Sequence, residues 1–351
     1  MNSAAAIAPV RWGILGTANI ALRAVIPGMQ RSPLARVVAI ASRNLSSAQN
    51  AAAALNIDRA YGSYDELLND PDIEAVYIPL PNHLHVPWSI RAAEQGKHVL
   101  CEKPLALTAL EAGELVEVRD RMHVHIAEAF MVRSHPQWLA ARHVLKCGEV
   151  GALRMITGHF SYFRRDPENV RSNPAWGGGA LMDVGCYPIT MSRWLFNEEP
   201  TEVVGQLEFD PDMLIDRVGS ALLRFPSGQA ALTFGGQVAL SQRMQLFGTR
   251  GHITVDVPFS PPPDRESSIV VDDARDVIGG GARTIGFAAV NQYEMQARQF
   301  SEAVRGMNDV AVSLEDSINN MRVIDALFES AKTQCWVTVH SGNSVPATDH
   351  V

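Results

Sequence analysis

The chain has 351 residues, 46% of them hydrophobic and 19% charged, which is enough apolar material for two cores and excludes a disordered polypeptide. A formal net charge of −8 argues against a nucleic-acid partner, because binding a phosphate backbone needs a basic face. No apolar run reaches the length of a membrane span, and the opening MNSAAAIAPVR lacks a basic segment followed by an apolar one, so a cytoplasmic, non-membrane protein is expected.

Strand and helix signals alternate through the first third. VRWGILG (10–16) predicts a strand, and ANIALRAVIPGMQRS a helix. RVVAIAS (36–42) predicts the next strand, followed by an Ala-rich helix capped near Ser46 or Ser47. AVYIPLP (75–81) and HVLCEKP (98–104) repeat the strand pattern, with helices over 64–69 and 85–95, and HVHIAEAF (123–130) reads as the closing strand. This rhythm predicts parallel βαβ units, a doubly wound α/β sheet spanning 1–127. Beyond it lies a helix with Ser134 as N-cap and Gly148 as its stop. Then come strand-like runs joined by Pro-Ser-Gly and Gly-Thr-Arg-Gly turns, a Pro-rich surface loop (PFSPPPDRESS), and helices near 290–306 and 313–332. The expectation for 128–340 is an α+β domain with a largely antiparallel open sheet, followed by a polar tail, 341–351. Cys101, Cys147, Cys186 and Cys335 form no CxxC pair, which suits a reducing compartment. The pairs His83/His85 and His123/His125 lack a third ligand at useful spacing, so no metal is expected.

Gly16-Thr17-Ala18-Asn19-Ile20-Ala21, directly after the first strand, is a dinucleotide fingerprint with alanine at its second and third glycine positions. Gly16 permits the tight turn, and the following helix start offers free N–H groups to a pyrophosphate. The second strand ends Ser42-Arg43-Asn44, with no acid before Asp58. A carboxylate there would repel a 2′-phosphate, whereas Ser42 and Arg43 can bond one, so NADP is favoured. Pro104 fixes its own φ and biases Lys103 to an extended conformation, aiming the lysine into the crevice at the strand's carboxyl end. Glu102 is expected to hold that ammonium or to pair with the second domain.

The ordered set GILGTANIA, YIPLPNHLH, CEKPLAL, EAFMVRSHPQ and GGGALMDVGCY, with SLEDSINNMRVIDALFESA near the end, resembles the Gfo/Idh/MocA oxidoreductases, named after glucose–fructose oxidoreductase. The nearest flavour is that of NADP-dependent sugar dehydrogenases and dimeric dihydrodiol dehydrogenases. The resemblance implies that the last helix packs back on the nucleotide domain, crossing the boundary near 127 twice. It also implies a homodimer or homotetramer, built here through the second domain's sheet. The family's Asp-x-x-x-His/Tyr motif is Asp183 and Tyr187, which share a face on a regular helix. With Lys103 lowering the tyrosine's pKa, Tyr187 is assigned as acid/base, Lys103 as its charged partner and Asp183 as the orienting group, and Lys103 is kept as the alternative proton-transfer group. Pro81, Asn82 and His85 are expected by the nicotinamide and its ribose. Arg133, His135, Arg165, Asn169, Arg171 and Trp176 are candidates for sugar hydroxyls and ring stacking. The expected reaction is hydride transfer between NADP and C1 of a pyranose aldose, giving a lactone. Its rivals are aldose–aldose transfer on retained NADP, trans-dihydrodiol oxidation and, in a different class, a non-catalytic NADP-binding sensor.

Overall fold

The computed structural model describes residues 7–340, so the tail 341–351 lies outside the described residues. Six strands form the first sheet: β1 (Val10–Leu15), β2 (Ala35–Ala41), β3 (Arg59–Tyr61), β4 (Ala75–Ile78), β5 (His98–Cys101) and β6 (Ile126–Glu128). All neighbours are parallel, in the order β3-β2-β1-β4-β5-β6. Every residue of β4 is buried, and five of six in β1, as expected of strands covered on both faces. The order reverses between β1 and β4, so the β1 turn and the ends of β4 and β5 open on one crevice. The edge strand β3 was not anticipated; at three half-buried residues it carries no usable periodicity.

Helices α1 (Ile26–Met29), α2 (Leu45–Leu55), α3 (Tyr64–Leu68), α4 (His85–Glu94) and α5 (Ala109–Met122) connect these strands, and α1 is preceded by a π-turn, Ala21–Val25. The α2 cap is Asn44 instead of Ser46 or Ser47: its Oδ1 accepts from the N–H groups of both serines, at 2.9 and 3.3 Å. Likewise α6 (Pro136–Lys146) is capped by His135 and not Ser134. Pro136 takes the first helical position and holds His135 extended, while the Ser134 hydroxyl donates to Gln299 at 2.6 Å.

The second sheet has nine strands, β7 (Leu153–Phe163), β8 (Glu202–Phe209), β9 (Asp216–Arg224), β10 (Gln229–Gly235), β11 (Gln237–Gly248), β12 (His252–Val255), β13 (Ser267–Asp272), β14 (Ala282–Phe287) and β15 (Val337–Thr338). Pairing is antiparallel except between β7 and β10, which run parallel at its centre. Both expected hairpins are present, β9–β10 and β11–β12. β13 and β14, which follow the Pro-rich loop, went unread because loop-like composition surrounds them. One face of the sheet packs on α7 (Cys186–Phe196) and the π-turn Leu181–Gly185 before it.

The last helices, α8 (Gln292–Val304) and α9 (Leu314–Thr333), cross back. α8, expected in the second domain, lies on α1: the buried Trp12 ring sits 5.2 Å from Phe300 and its Nε1 donates to Ser301 at 3.2 Å. α9 lies between α5 and β8, with Asp325 accepting from Ala109 N at 2.8 Å and Ser330 from Gly205 N at 3.0 Å. One hydrophobic cluster therefore runs from Val76 and Ile78 through Phe130 and Tyr187 to Leu327, without a break at the domain junction. Among the described residues no helix is long and apolar enough to cross a membrane.

Candidate active site

The turn after β5 carries Lys103, followed by a cis Lys103–Pro104 bond. Glu102 N–H donates to Ile78 O at 3.1 Å, and the Glu102 carboxylate accepts from the Tyr77 hydroxyl at 2.5 Å. Burial pushes the Glu102 pKa up. This corrects the expectation for Glu102: its hydrogen bond runs to a tyrosine of its own sheet, and the Lys103 ammonium acts on it through space, opposing the rise that burial causes. His85 is also reassigned. It is fully buried, its Nδ1 2.8 Å from Pro104 O and its Nε2 2.8 Å from Leu80 O, and burial takes its pKa down to about 4. The neutral imidazole has one N–H and donates it to one of these two carbonyls; with its other nitrogen against the second, it has no free edge for a ribose.

Lys103 reaches across to the second domain. Its Nζ donates to the Asp183 carboxylate at 3.0 Å and to the Asp183 carbonyl at 2.6 Å. The other Asp183 oxygen accepts from the Tyr162 hydroxyl at 2.5 Å and from Arg171 Nε at 2.9 Å. Burial alone would raise the Asp183 pKa, but Lys103, Arg171 and Tyr162 hold it well below the usual carboxylate range. Burial pulls the lysine down, but Asp183 and Cys186 outweigh it and the net shift is upward. Asp183 raises the Arg171 guanidinium, and burial followed by Asp183 raises the Tyr162 hydroxyl. The cluster thus holds an ammonium with one N–H to spare, a neutral phenol with acceptor capacity, and a partly exposed guanidinium. That is a donor–acceptor set suited to a hydroxyl or carbonyl oxygen.

Tyr187 does not join this cluster. Its hydroxyl lies 3.7 Å from Met131 Sδ, its ring packs edge-on to Phe130 and Phe160, and burial sets its pKa well above the ordinary value. The Lys103 ammonium stands 4.9 Å from the centre of the ring, over its face. The expectation that Lys103 lowers the Tyr187 pKa is therefore overturned, since the cation meets the π-face and the phenol oxygen is desolvated. Asp183 belongs to the π-turn and Tyr187 to the helix after it, yet both side chains lie against the Lys103 ammonium, so the shared face is kept while only the Asp183 carboxylate bonds the lysine. Pro188 sits within the first turn of α7, where its missing N–H costs little.

Other candidates divide by position. Trp176 is partly exposed and stacks on His83 with ring centroids 5.4 Å apart, beside Asn82, whose Nδ2 donates to Gly177 O at 2.8 Å. Asn82 therefore spends its amide on closing the crevice. Arg133 is corrected: it is buried against Trp194 and pairs with Asp316 at 2.8 Å. His135, also buried, accepts from Gln137 N at 3.3 Å as a helix cap, with burial taking its pKa to about 4. Arg165 pairs with Asp210 and Asp212, and Asn169 caps the short turn that presents Arg171. Arg133, His135 and Arg165 do not touch the Lys103 cluster, and Asn169 meets it only through the Arg171 backbone N–H, at 3.1 Å. Tyr162, Asp216 and Glu128 were missed. For Tyr162 the signal was parity: it follows Ile156, Gly158 and Phe160 on the buried face of β7, a polar residue closing an apolar row. A cavity of about 590 Å³, lined by Thr157, His159, Gln206, Ser220 and Thr233, lies on the sheet's other face and contains none of the cluster. Among the described residues no group of three or more His, Cys, Asp or Glu is placed for a metal.

The β1 turn fits a dinucleotide. Gly16 has φ +123°, and a Cβ there would come within 3.1 Å of Leu80, so only glycine keeps the crevice floor open. Thr17 and Ala18 are partly exposed and Asn19 and Ile20 exposed at the start of the helix, leaving N–H groups free for a pyrophosphate. Ala18 is accommodated without distortion, its carbonyl accepting from Leu22 N at 3.1 Å. Ser42 and Arg43 follow the end of β2, with Arg43 exposed, while the Asn44 Oδ1 is committed to its helix cap. Pro81 opens the turn that carries Asn82.

A dinucleotide cradle at the switch point, with a lysine from its own sheet paired to a carboxylate of the second domain, defines a nicotinamide-dependent oxidoreductase. Residues 10–130 match the model of an oxidoreductase family with an NAD-binding Rossmann fold, and 138–254 match the GFO/IDH/MocA C-terminal domain. The chain belongs to the Gfo/Idh/MocA oxidoreductases. It is 47% identical to an uncharacterized oxidoreductase of Rhizobium meliloti, over 94% of this chain and 99% of the other. It is 36% identical to a D-xylose 1-dehydrogenase (NADP(+)) of Haloferax volcanii, over 92% and 97%. Among solved structures it is similar to a 3-ketoreductase from Actinomadura kijaniata, in complex with NADP and TDP-benzene, with a TM-score of 0.85, 30% identity and coverage of 92% and 98%. At this level it is an NAD(P)-dependent enzyme of sugar CH–OH chemistry.

Proposed function

We propose that the chain is an NADP-dependent aldose dehydrogenase that takes hydride from C1 of a pyranose and yields the lactone. The observation that carries this reading is the Lys103–Asp183 pair flanked by Tyr162 and Arg171, a polar cluster at the carboxyl end of β5 that can seat a sugar hydroxyl. The likeness to the xylose dehydrogenase supports the substrate class. When bound, the nicotinamide supplies the hydride acceptor. Lys103, as the free amine, takes the hydroxyl proton; Asp183 orients the lysine and holds the proton there as an ammonium; Arg171 and Tyr162 fix the neighbouring hydroxyls. The test is absorbance at 340 nm with a panel of aldoses and dihydrodiols, using NADP or NAD. Steady NADPH formation from aldoses supports the reading, whereas turnover of dihydrodiols alone sinks it.

A pH profile follows from the lysine. Its pKa is raised, so at neutral pH little of it is free base, and the oxidation rate should climb with pH without levelling off below about 10. The same charge state favours a second reading, reduction of a keto sugar, in which the ammonium donates to the carbonyl oxygen. That reaction should be flat across neutral pH, and the ratio of the two rates decides the direction.

The second strand's end supports NADP over NAD, since Ser42 and the exposed Arg43 stand where an NAD enzyme places a carboxylate. Arg43→Ala should weaken NADP binding about tenfold and leave NAD binding unchanged, because one exposed charge-assisted contact is worth about 1.5 kcal/mol. Equal loss for both cofactors, measured by titration of protein fluorescence, would remove the assignment.

A further inference from the structure

Glu128 ends β6 and is 2% exposed, yet it touches none of the groups that face the crevice. Its Oε1 accepts from Leu105 N at 2.9 Å, and the Ser317 hydroxyl of α9 also bonds the carboxyl group. The Leu105 N–H belongs to the same peptide plane as the Pro104 carbonyl, the group bonded by His85 at 2.8 Å. With the single N–H of the neutral ring on Nδ1, this plane is gripped at both ends, its C=O by an imidazole from α4 and its N–H by a carboxyl group from β6. The proline ring fixes φ on the upstream side, so a gripped plane leaves the backbone after Lys103 no soft rotation.

We propose that Glu128 is a positioning residue for Lys103: with His85 it locks the Pro104–Leu105 peptide plane, and so holds the lysine over Asp183. Two further observations agree. Burial raises the Glu128 pKa to about 8, so at neutral pH the residue is an uncharged acceptor. Its charged surroundings, Asp316 and Arg193, lie on the side of α9 and α7, away from the turn, and supply nothing to Lys103 directly. The role of Glu128 is thus mechanical and needs only a carbonyl-like oxygen at the Oε1 position.

The inference rests on the proposed function where turnover is read, so the experiment includes a readout that does not. Lys103 in the full-length protein is labelled with acetic anhydride at low conversion and quantified by mass spectrometry, for wild type, Glu128→Gln and Glu128→Met. NADP affinity and hydride transfer to NADP from the fastest aldose are measured alongside. Glu128→Gln keeps the acceptor and should match wild type throughout. Glu128→Met keeps the volume and loses the acceptor. It should label Lys103 several-fold faster and lower kcat on the order of 10²-fold, with the NADP dissociation constant within twofold. Wild-type labelling and kcat in Glu128→Met, or equal damage in Glu128→Gln, would overturn the proposal. If Glu128→Met does not fold, Glu128→Asp, one methylene short of Leu105, takes its place under the same criteria. Should wild type transfer no hydride from any sugar, the functional reading fails, while the labelling comparison still decides the positioning role.

Discussion

Lys103→Ala should lower kcat by about 10³-fold, within the range of about 10²–10⁴ that a positioned proton-transfer group contributes, while the protein remains folded and binds NADP. Among the described residues the lysine is the one cation in contact with both the Asp183 carboxylate and its carbonyl, and it projects from the end of β5 into the crevice. Removing it leaves Asp183 held by Arg171 and Tyr162, so the pocket survives without its proton carrier. Tyr187→Phe is the informative contrast. It deletes a hydroxyl whose polar neighbour is a thioether, and turnover should stay within tenfold of wild type. A loss in Tyr187→Phe equal to that in Lys103→Ala would show that the buried phenol swings to the reacting oxygen when substrate binds, and the proton assignment would pass to it. Rates for both variants, measured at saturating NADP with one aldose, separate the two outcomes.

Gly179→Ala should destabilise the protein by about 3 kcal/mol and abolish most activity. The residue has φ +118°, a conformation that costs a side-chain-bearing residue about 1–3 kcal/mol, and its new Cβ would fall 1.9 Å from Asp216 Oδ1. Asp216 cannot yield cheaply. It is buried, burial lifts its pKa to about 6, and its other oxygen accepts from Leu181 N at 2.6 Å at the start of the turn that carries Asp183. Pushing it aside removes a cap worth about 1 kcal/mol and displaces the carboxylate that holds Lys103. Gly113 is the control. It lies within α5, where an added methyl group would meet nothing within 4 Å, so Gly113→Ala should stabilise by roughly 0.5–1 kcal/mol. Urea titrations of the two variants should move in opposite directions; a shared direction would contradict both arguments.

The parallel sheet was legible because β1, β2, β4 and β5 are apolar runs separated by helical spacing, a pattern that few folds satisfy. The Lys103 turn and Asp183 could likewise be found from short local strings. What sequence could not supply was partnership at a distance. Arg133 reads as a polar residue beside a strand end, and nothing local announces that Asp316 waits to bury it. His85 and Glu102 carry groups that could face a cofactor, but their hydrogen bonds run to Pro104, Leu80 and Tyr77. The π-turn at Leu181–Gly185, which carries Asp183, is equally silent in the residue string. Local composition identifies which segments meet, and tertiary packing decides which atoms of them are left over for chemistry.

The return of α8 to the first sheet also bears on how the chain is made. Trp12 is covered by Phe300 and Ser301, and Arg305 bonds the carbonyls of Ala8 and Pro9 at 2.8 and 2.9 Å. The strand β1 thus leaves the ribosome long before the helix that seals it. At about 5–20 residues per second, some 10–35 s separate β6 from the end of α8, and during that interval the nascent nucleotide domain has an open apolar flank. Birth order and burial order run opposite ways here, which makes this flank the natural client of whatever attends the chain as it emerges.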